Sequence, residues 1–206
     1  MKFAVIVVDM LEDNFKGPVD HPVIKQFRSI IPNVRLLLKE ARKLDGLVVF
    51  ACDSYFREDF LFKGNMPPHA LRGTPGADII DDLTVCPGDI VLPKRRLSAF
   101  FKTDLDITLR TLGINTIAVA GLTTEACVLA TAVDGLCNDF YSVILSDCSA
   151  SRSHEIHEAI ISIYSRFPTY PTLRVRTADA FFVEVKEGGI REGNKQKRGK
   201  GETAYG

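Results

Sequence analysis

Three ionisable residues near the ends of predicted strands have the types needed for nucleophilic chemistry. Cys127 lies in the segment Gly121-Leu-Thr-Thr-Glu-Ala-Cys127, where an apolar run ends and a helical pattern begins. Asp9 directly follows one apolar run, and Lys94 follows another, Ile90-Val91-Leu92-Pro93. A thiolate is a strong nucleophile, a lysine ammonium can stabilise it, and a carboxylate can move its proton. The combination predicts attack by sulfur on an electrophilic carbon.

The position of Cys127 favours a reactive thiol. If a helix begins at Thr124, Cys127 lies in its first turn, where the partial positive charge and the unpaired N–H groups favour a thiolate. The same N–H groups can hold the oxyanion of an acyl transfer. A buried, inert cysteine is the commonest alternative, and we apply that interpretation to the other four cysteines, Cys52, Cys86, Cys137 and Cys148.

The residues alone leave the roles of the two charged positions open. A carboxylate such as Asp9 at the end of a buried strand caps a helix, accepts hydrogen bonds from a loop or takes part in catalysis. Lys94 is followed by Arg95 and Arg96. The pattern does not decide which of these three cations would meet a thiolate.

Short apolar runs alternate with amphipathic stretches along the chain. The runs are rich in Val and Ile and are often continuous, which is typical of parallel strands buried on both faces. Their alternation with helices predicts an α/β fold, a three-layer sandwich whose six-stranded, mostly parallel sheet has the order 3-2-1-4-5-6. We predict strands at 3–8, 47–52, 90–92, 116–120, 141–145 and 173–175 and helices at 34–44, 104–112, 124–136, 154–167 and 178–185, the last with Thr177 as its N-cap.

This strand order predicts where the candidate residues meet. The order reverses between the first and the fourth strand, and open α/β sheets bind ligands at the carboxyl ends of the strands on either side of such a switch. Asp9 ends the first strand, and the segment 121–127 follows the fourth. We therefore expect Asp9 and Cys127 to lie close together.

The bulk composition is that of an ordinary globular domain. The 206 residues are 46% apolar and carry no net charge, so no overall field attracts nucleic acid or an anionic membrane. The apolar runs are too short to span a bilayer, and the N-terminus lacks the features of a signal peptide, so we expect a cytoplasmic protein. One domain is expected at 1–185, followed by a disordered basic tail at 186–206 that has almost nothing apolar to bury.

Three motifs resemble the isochorismatase-like cysteine hydrolase superfamily, which includes nicotinamidases and N-carbamoylsarcosine amidases. The similarity runs from Met1 to about Val185. All three motifs occur in the family's order and spacing, which makes the combination far more specific than any one of them. The motifs are Val7-Val8-Asp9-Met10 followed by Asn14-Phe15, Lys94-Arg-Arg-Leu-Ser98-Ala99-Phe100, and Gly121-Leu-Thr-Thr-Glu-Ala-Cys127-Val128.

The resemblance implies a catalytic triad of Asp9, Lys94 and Cys127, and it selects Lys94 from the three neighbouring cations. It also implies a cis peptide between Leu122 and Thr123, which would turn the Thr123 N–H toward the Cys127 N–H to form an oxyanion hole. The implied reaction is hydrolysis of a C–N bond in a small amide through a thioester on Cys127, with release of ammonia, as in a nicotinamidase or an N-carbamoyl amidase. The alternatives are hydrolysis of a non-amide substrate and a non-catalytic binding or assembly module on the same fold.

The resemblance raises the question of a metal ion. Nicotinamidases of the superfamily commonly hold a divalent metal on an Asp-x-His pair and a later histidine. Asp53 and His69 stand at two of these positions, but Tyr55 stands at the third. Tyrosine is a poor ligand for such a site, so we expect no required cofactor, with Asp53 and His69 as the ligands if zinc or manganese binds.

The remaining site predictions concern the substrate pocket, the other histidines and assembly. We predict that the pocket is lined by Phe15, Tyr55, Phe100 and Leu122, with simple packing as the alternative. His21, His154 and His157 are expected at the surface. The resemblance also implies a homo-oligomer, either a dimer or a tetramer, that acts on a small amide.

Overall fold

The computed structural model describes residues 1–188, which form a six-stranded sheet between two layers of helices. The strands are β1 (Phe3–Val8), β2 (Leu47–Asp53), β3 (Ile90–Lys94), β4 (Thr116–Leu122), β5 (Tyr141–Ala150) and β6 (Leu173–Arg176). The helices are α1 (Pro22–Ser29), α2 (Ile31–Lys43), α3 (Leu105–Thr111), α4 (Leu129–Cys137), α5 (His154–Ser165) and α6 (Ala178–Lys186). Every neighbouring pair of strands is parallel, in the order β3-β2-β1-β4-β5-β6. The predicted fold class and strand order are therefore confirmed.

The central strand β1 explains why a continuous apolar run marks the middle of this sheet. Its side chains alternate between the two faces, and all six residues are buried. Phe3, Val5 and Val7 join the core beneath α1, α2 and α6. The other three, 4, 6 and 8, join the core beneath α3, α4 and α5. Each layer of helices thus covers one face of the sheet.

The strands run further toward their carboxyl ends than the sequence predicts. β2 continues to Asp53 and β3 to Lys94, and these two residues are paired in the ladder. β4 continues to Leu122, which pairs with Ala150 at the end of β5. Polar residues and glycine interrupt the apolar pattern at these ends, although parallel pairing persists. The extension matters because the candidate residues stand there.

Most helices agree with the predictions, and the differences concern the first helix, α1, and the end of the last helix, α6. Helix α1 was not predicted, because only Ile24 and Phe27 of its residues are buried and its pattern is short. Helix α6 begins after Thr177, whose hydroxyl accepts the Ala180 N–H as predicted. The predicted tail at 186–206 starts inside this helix, and its residues 189–206 lie outside the described part of the chain. None of the helices within 1–188 is both long and apolar enough to cross a membrane.

A long connection between β2 and β3 is fastened to the carboxyl edge of the sheet. It contains only two 3-10 turns, Phe60–Lys63 and Pro75–Ala77. The Asp13 carboxylate accepts the Ala70 N–H at 2.7 Å, and the Ile80 N–H donates to Met10 at 3.1 Å. Arg72 donates to the Ser54 hydroxyl at 2.9 Å. These bonds hold the connection over the edge where the candidate residues lie.

Candidate active site

Four strand ends place the candidate residues together at the switch point. Asp9 directly follows β1, Asp53 ends β2, Lys94 ends β3, and Cys127 lies in the turn that follows β4. Asp9 has a left-handed backbone with a φ of 52°, and its N–H donates to Ala51 of β2 at 3.0 Å. The carboxyl ends of parallel strands lie on one edge, so residues far apart in sequence converge there. Asp9 and Cys127 meet as predicted.

Lys94 links two buried carboxylates. Its Nζ lies 2.8 Å from Asp9 Oδ2 and 2.5 Å from Asp53 Oδ1, and its side chain has no exposed surface. A further carboxylate oxygen, Asp9 Oδ1, accepts the Asp53 N–H at 2.8 Å. Although burial by itself disfavours the ammonium, the charges of Asp9, of Cys127 when it is ionised, and of Asp53 hold the pKa of Lys94 well above its usual value. Lys94 is therefore charged at neutral pH.

The two neighbouring arginines have a different task. Arg95 and Arg96 donate to the buried Asp59 carboxylate at 2.6 and 3.2 Å, and both remain partly exposed. These bonds, mainly that from Arg95, lower the pKa of Asp59 to about 2. Lys94, and not either arginine, therefore contacts Asp9. This choice was open on the residues alone and agrees with the resemblance.

Cys127 is buried beside both carboxylates. Its sulfur and one oxygen each of Asp9 and Asp53 all lie within 4.8 Å of one another. Burial, followed by the charge of Asp9, raises the pKa of the thiol well above its usual value despite the opposing effect of Lys94. The thiolate expected from the helix terminus is therefore not the resting form. The thiol is protonated until a base removes its proton.

Asp9 has the properties of that base. Burial and the charge of Asp53 raise its pKa to about 7, while Lys94 and the hydrogen bond from Cys127 act in the opposite direction. A group that titrates near the working pH can both accept and return a proton. Asp9 therefore suits transfer of the thiol proton.

The turn that carries Cys127 is tightly constrained. The helix begins at Thr124 as predicted, but its first turn, Thr124–Val128, is π-helical and leads into α4. The Leu122–Thr123 peptide is cis, as the resemblance implied. Gly121 has a φ of 108°, and a side-chain carbon there would lie 2.1 Å from the Val8 carbonyl oxygen, so only glycine fits. The oxyanion hole formed by the N–H groups of Thr123 and Cys127 stays a prediction.

A second set of polar contacts anchors this turn to α5 and to the segment that precedes it. The Thr124 hydroxyl lies 2.8 Å from His157 Nδ1 of α5, and the same ring hydrogen-bonds to the Ser146 backbone. The Ser151 hydroxyl donates to Glu125 at 2.5 Å. The prediction that His157 is a surface residue was therefore wrong: its ring is buried. The two contacts link the nucleophile turn to the segment between β5 and α5.

Replacement of His157 is expected to reduce stability in a pH-dependent way. His157→Leu leaves the buried Thr124 hydroxyl without its partner, which lowers the free energy of unfolding by about 1–3 kcal/mol at pH 8. Burial lowers the pKa of His157, so the unfolded chain binds the proton more readily than the folded one. The contribution of this ring is present above its usual pKa of 6.5 and is lost as the pH falls below it.

Urea denaturation at pH 8 and pH 5 measures both effects. The difference between the wild type and His157→Leu should be larger at pH 8, and His157→Gln, which keeps a hydrogen-bonding side chain, should fall between them. His154→Leu is the control, because this exposed residue lies on the same helix. Equal stability of the wild type and His157→Leu at pH 8 would contradict the anchoring role.

The four predicted pocket residues occupy different environments. Tyr55 lies against the charged group, and burial together with the nearby charge of Asp53 raises the pKa of its hydroxyl. The others take part in packing, which was the alternative considered: Phe15 meets Phe27 with 6.3 Å between ring centroids, Phe100 meets Phe140 at 5.7 Å, and Leu122 lies in the core under α2 and α6. Tyr55 therefore has the most direct contact with the candidate catalytic residues.

The residues at the expected metal site do not suit a resident metal ion. Within residues 1–188, the group of three ligand-type side chains close enough to share an ion is Asp9, Asp53 and Cys127, without His69. His69 Nδ1 lies 3.0 Å from the Pro67 carbonyl oxygen. The ammonium of Lys94 already contacts both carboxylates, so a divalent cation would meet a like charge there. We therefore derive no chemical step through a metal.

The remaining cysteines differ in exposure. Cys52 and Cys148 are buried, as expected for structural thiols, and burial raises the pKa of Cys52 to about 12. Cys86 is partly exposed and Cys137 is exposed, so the prediction of a buried position was wrong for Cys137. Cys137 is the last residue of α4, and the buried residues of this helix, Thr131, Ala132 and Gly135, all lie before it. Among the five cysteines, Cys127 is the one whose sulfur forms a group within 4.8 Å with the Asp9 and Asp53 carboxylates.

Comparison with known families and proteins agrees with the motifs. The family described as "Isochorismatase domain" matches residues 3–172. An uncharacterized isochorismatase family protein of Bacillus subtilis is 30% identical over 90% of this chain and 95% of its own length. A probable inactive nicotinamidase of Arabidopsis thaliana is 32% identical over 77% of this chain and 85% of its own length. The similarity thus spans nearly the whole described domain.

Solved structures share the fold over the same range. An isochorismatase-like hydrolase from Alkaliphilus metalliredigens has a TM-score of 0.78 and 33% identity and covers 89% of this chain and 98% of its own. N-carbamoylsarcosine amidase from Thermoplasma acidophilum has a TM-score of 0.75 and 28% identity, with 87% and 98% covered. The pyrazinamidase of Pyrococcus horikoshii, crystallised with zinc, has a TM-score of 0.73 and 26% identity, with 86% and 99% covered.

Proposed function

The chain belongs to the isochorismatase family, and from that premise we propose that it is a cysteine-dependent amidohydrolase. Its substrate would be a small molecule with a primary amide or a terminal carbamoyl group, and its product ammonia. The observation that carries the proposal is the buried position of the Cys127 sulfur within 4.8 Å of the Asp9 carboxylate, which accepts from Lys94 at 2.8 Å. The similarity to N-carbamoylsarcosine amidase supports C–N chemistry.

In the first half of the proposed reaction, Asp9 removes the thiol proton while Lys94 stabilises the negative charge. Cys127 then attacks the carbonyl carbon, and the oxyanion is held by the N–H groups of Thr123 and Cys127. Asp9 returns the proton to the nitrogen, because an amine leaves poorly as an anion. Ammonia departs and a thioester remains on the sulfur.

In the second half, the same carboxylate serves as the base for water. Asp9, ionised again, takes a proton from a water molecule that attacks the thioester carbon. The carbon–sulfur bond breaks, and the sulfur recovers its proton as the carboxylic or carbamic acid leaves. The pKa of Asp9, raised to about 7 chiefly by burial, supports both transfers near neutral pH. Each step balances without an external redox partner.

Ammonia release from a panel of amides tests the proposal. The panel contains nicotinamide, N-carbamoylsarcosine, a ureido acid and simple aliphatic amides, each with and without EDTA. We expect ammonia from at least one member and no loss of activity on chelation, because the residues do not suit a resident metal ion. No ammonia from any member, in folded protein whose thiols titrate normally, would favour the non-amide hydrolase or the binding module. The cytoplasmic location and the homo-oligomer stay predictions.

A further inference from the structure

We propose that Asp53 determines substrate specificity by pairing with Asp9 to accept both hydrogens of an unsubstituted –NH2 group. This inference rests on the proposed function and adds a residue to it. Asp53 was predicted as a metal ligand, and the mechanism above does not use it. The structure instead places its carboxylate beside the nucleophile and the base.

The position of Asp53 brings it within reach of the leaving nitrogen. One of its carboxylate oxygens lies within 4.8 Å of both the Cys127 sulfur and an Asp9 oxygen. A carbon about to be attacked lies about 3–3.5 Å from the nucleophile, and an amide nitrogen is about 1.3 Å further along its bond. Carboxylate oxygens at this separation leave room for such a nitrogen to hydrogen-bond to both of them. The two hydrogens of –NH2 can therefore point at two acceptors.

Two neighbouring side chains restrain Asp53. Lys94 Nζ donates to Oδ1 at 2.5 Å, and the Tyr55 hydroxyl, whose pKa is raised by burial, lies close enough to the same carboxylate for the charge of Asp53 to raise that pKa further. An ionised carboxylate has about four lone-pair directions, so capacity for a substrate N–H remains. Asp53 is almost fully buried, which makes an unsatisfied lone pair there costly.

Tyr55 lies beside Asp53, at the position where the resemblance implies a histidine ligand. Its ring is buried and packed against Phe62 and His69, with centroid separations of 5.2 and 5.5 Å. Phe62 and His69 also contact each other, at 5.8 Å, and this packing restrains the Tyr55 ring next to Asp53. We assign Tyr55 as a positioning residue that keeps Asp53 aimed at the substrate, in a site that works without a metal.

Substitution on the nitrogen should therefore be rejected strongly. An N-methyl group would replace one hydrogen and leave a buried carboxylate facing a methyl group. Sites built to bind a substrate N–H reject analogues that lack it by about 10⁴-fold. We expect kcat/KM for a primary amide to exceed that for its N-methyl analogue by at least about 10³-fold.

The experiment compares matched pairs of amides in four forms of the protein. Nicotinamide is paired with N-methylnicotinamide, and N-carbamoylsarcosine with its terminal N-methyl analogue, with ammonia or methylamine as the measured product. Asp53→Asn replaces one of the two acceptor oxygens by an NH2 donor and removes the negative charge at nearly the same size, so the preference for –NH2 should fall by about 10²-fold or more. Tyr55→Phe keeps the ring packing and should lower the preference by about tenfold, mainly through KM.

Asp59→Asn is the matched control. Asp59 is also a buried carboxylate near this edge, but it pairs with Arg95 and Arg96. Its replacement should leave the preference for –NH2 unchanged. Tyr55→Phe keeps the test decisive if Asp53→Asn does not fold.

Two results would overturn the assignment. One is an unchanged preference for –NH2 in both Asp53→Asn and Tyr55→Phe. The other, from calorimetric titration with ZnCl₂, is stoichiometric zinc binding that Asp53→Asn abolishes, since Asp53 would then be a ligand. If no amine is released from any amide, the proposed function fails. The zinc titration still tests whether Asp53 is a metal ligand.

Discussion

Replacement of Cys127 by alanine is expected to abolish ammonia release, with a fall in kcat of about 10⁴-fold or more. Among the described residues near Asp9, the Cys127 sulfur is the nucleophile in contact with this base. The variant should remain folded, because the thiol is small and neutral in the resting protein, and its removal costs about 1 kcal/mol of stability. Amine release and circular dichroism on the same preparation measure the two quantities.

Cys148→Ala is the matched control for that experiment. Cys148 is also fully buried, but it lies within β5, and the pKa of its thiol is raised by burial and Asp147, away from Lys94. Its replacement should change kcat by less than about threefold, as expected for a residue outside the site. Substantial ammonia release by Cys127→Ala would refute the thioester mechanism. An equal loss of activity in both variants would indicate that disturbed packing, and not the loss of a nucleophile, lowers kcat.

Replacement of Lys94 by methionine should impair both stability and activity. The substitution keeps much of the side-chain volume but leaves the Asp9 and Asp53 carboxylates buried without their cation. Breaking a buried ion pair in this way costs about 3–5 kcal/mol, and we expect a fall of that size in the free energy of unfolding. Activity should fall by at least about 10²-fold, because the charge that stabilises the sulfur anion is lost.

A double variant separates these two effects. Lys94→Met combined with Asp53→Asn removes one of the two uncompensated carboxylates and should recover part of the lost stability, while activity stays low. Lys39→Met, at an exposed position of α2, is the control and should change neither quantity measurably. Full activity in Lys94→Met would refute the role of Lys94 in stabilising the sulfur anion. Stability equal to that of the wild type would refute its role in compensating the two buried carboxylates.

The parts of the site that the sequence could predict share one signal. Asp9 and Lys94 are charged residues placed directly after apolar runs, and a parallel sheet brings such positions to one edge. Cys127 follows another run at the start of a helix. The strand order then brings Asp9 and Cys127 together, so the fold and the three central residues follow from local patterns combined with the resemblance.

The parts that could not be predicted depend on contacts between distant segments. Asp53 also follows an apolar run, but its contact with Lys94 depends on the register between β2 and β3. His157 lies on a helix whose pattern does not reveal that Thr124 needs a partner. The raised pKa of Cys127 results from burial opposed by one cation and reinforced by two carboxylates. These opposing effects on the pKa come from residues that are far apart in the sequence, so no local pattern reveals them.

The glycine before the cysteine turn sets a limit on how this catalyst can be redesigned. At Gly121 the backbones of β4 and β1 approach so closely that even one added methyl group would collide with Val8. The spacing between base and nucleophile is therefore set by main-chain geometry, and libraries that vary side chains on these two strands cannot tune it. New substrate scope has to come from side chains around the reacting atoms, such as Asp53 and those of the connection at 54–89, whose exchange leaves this backbone contact unchanged.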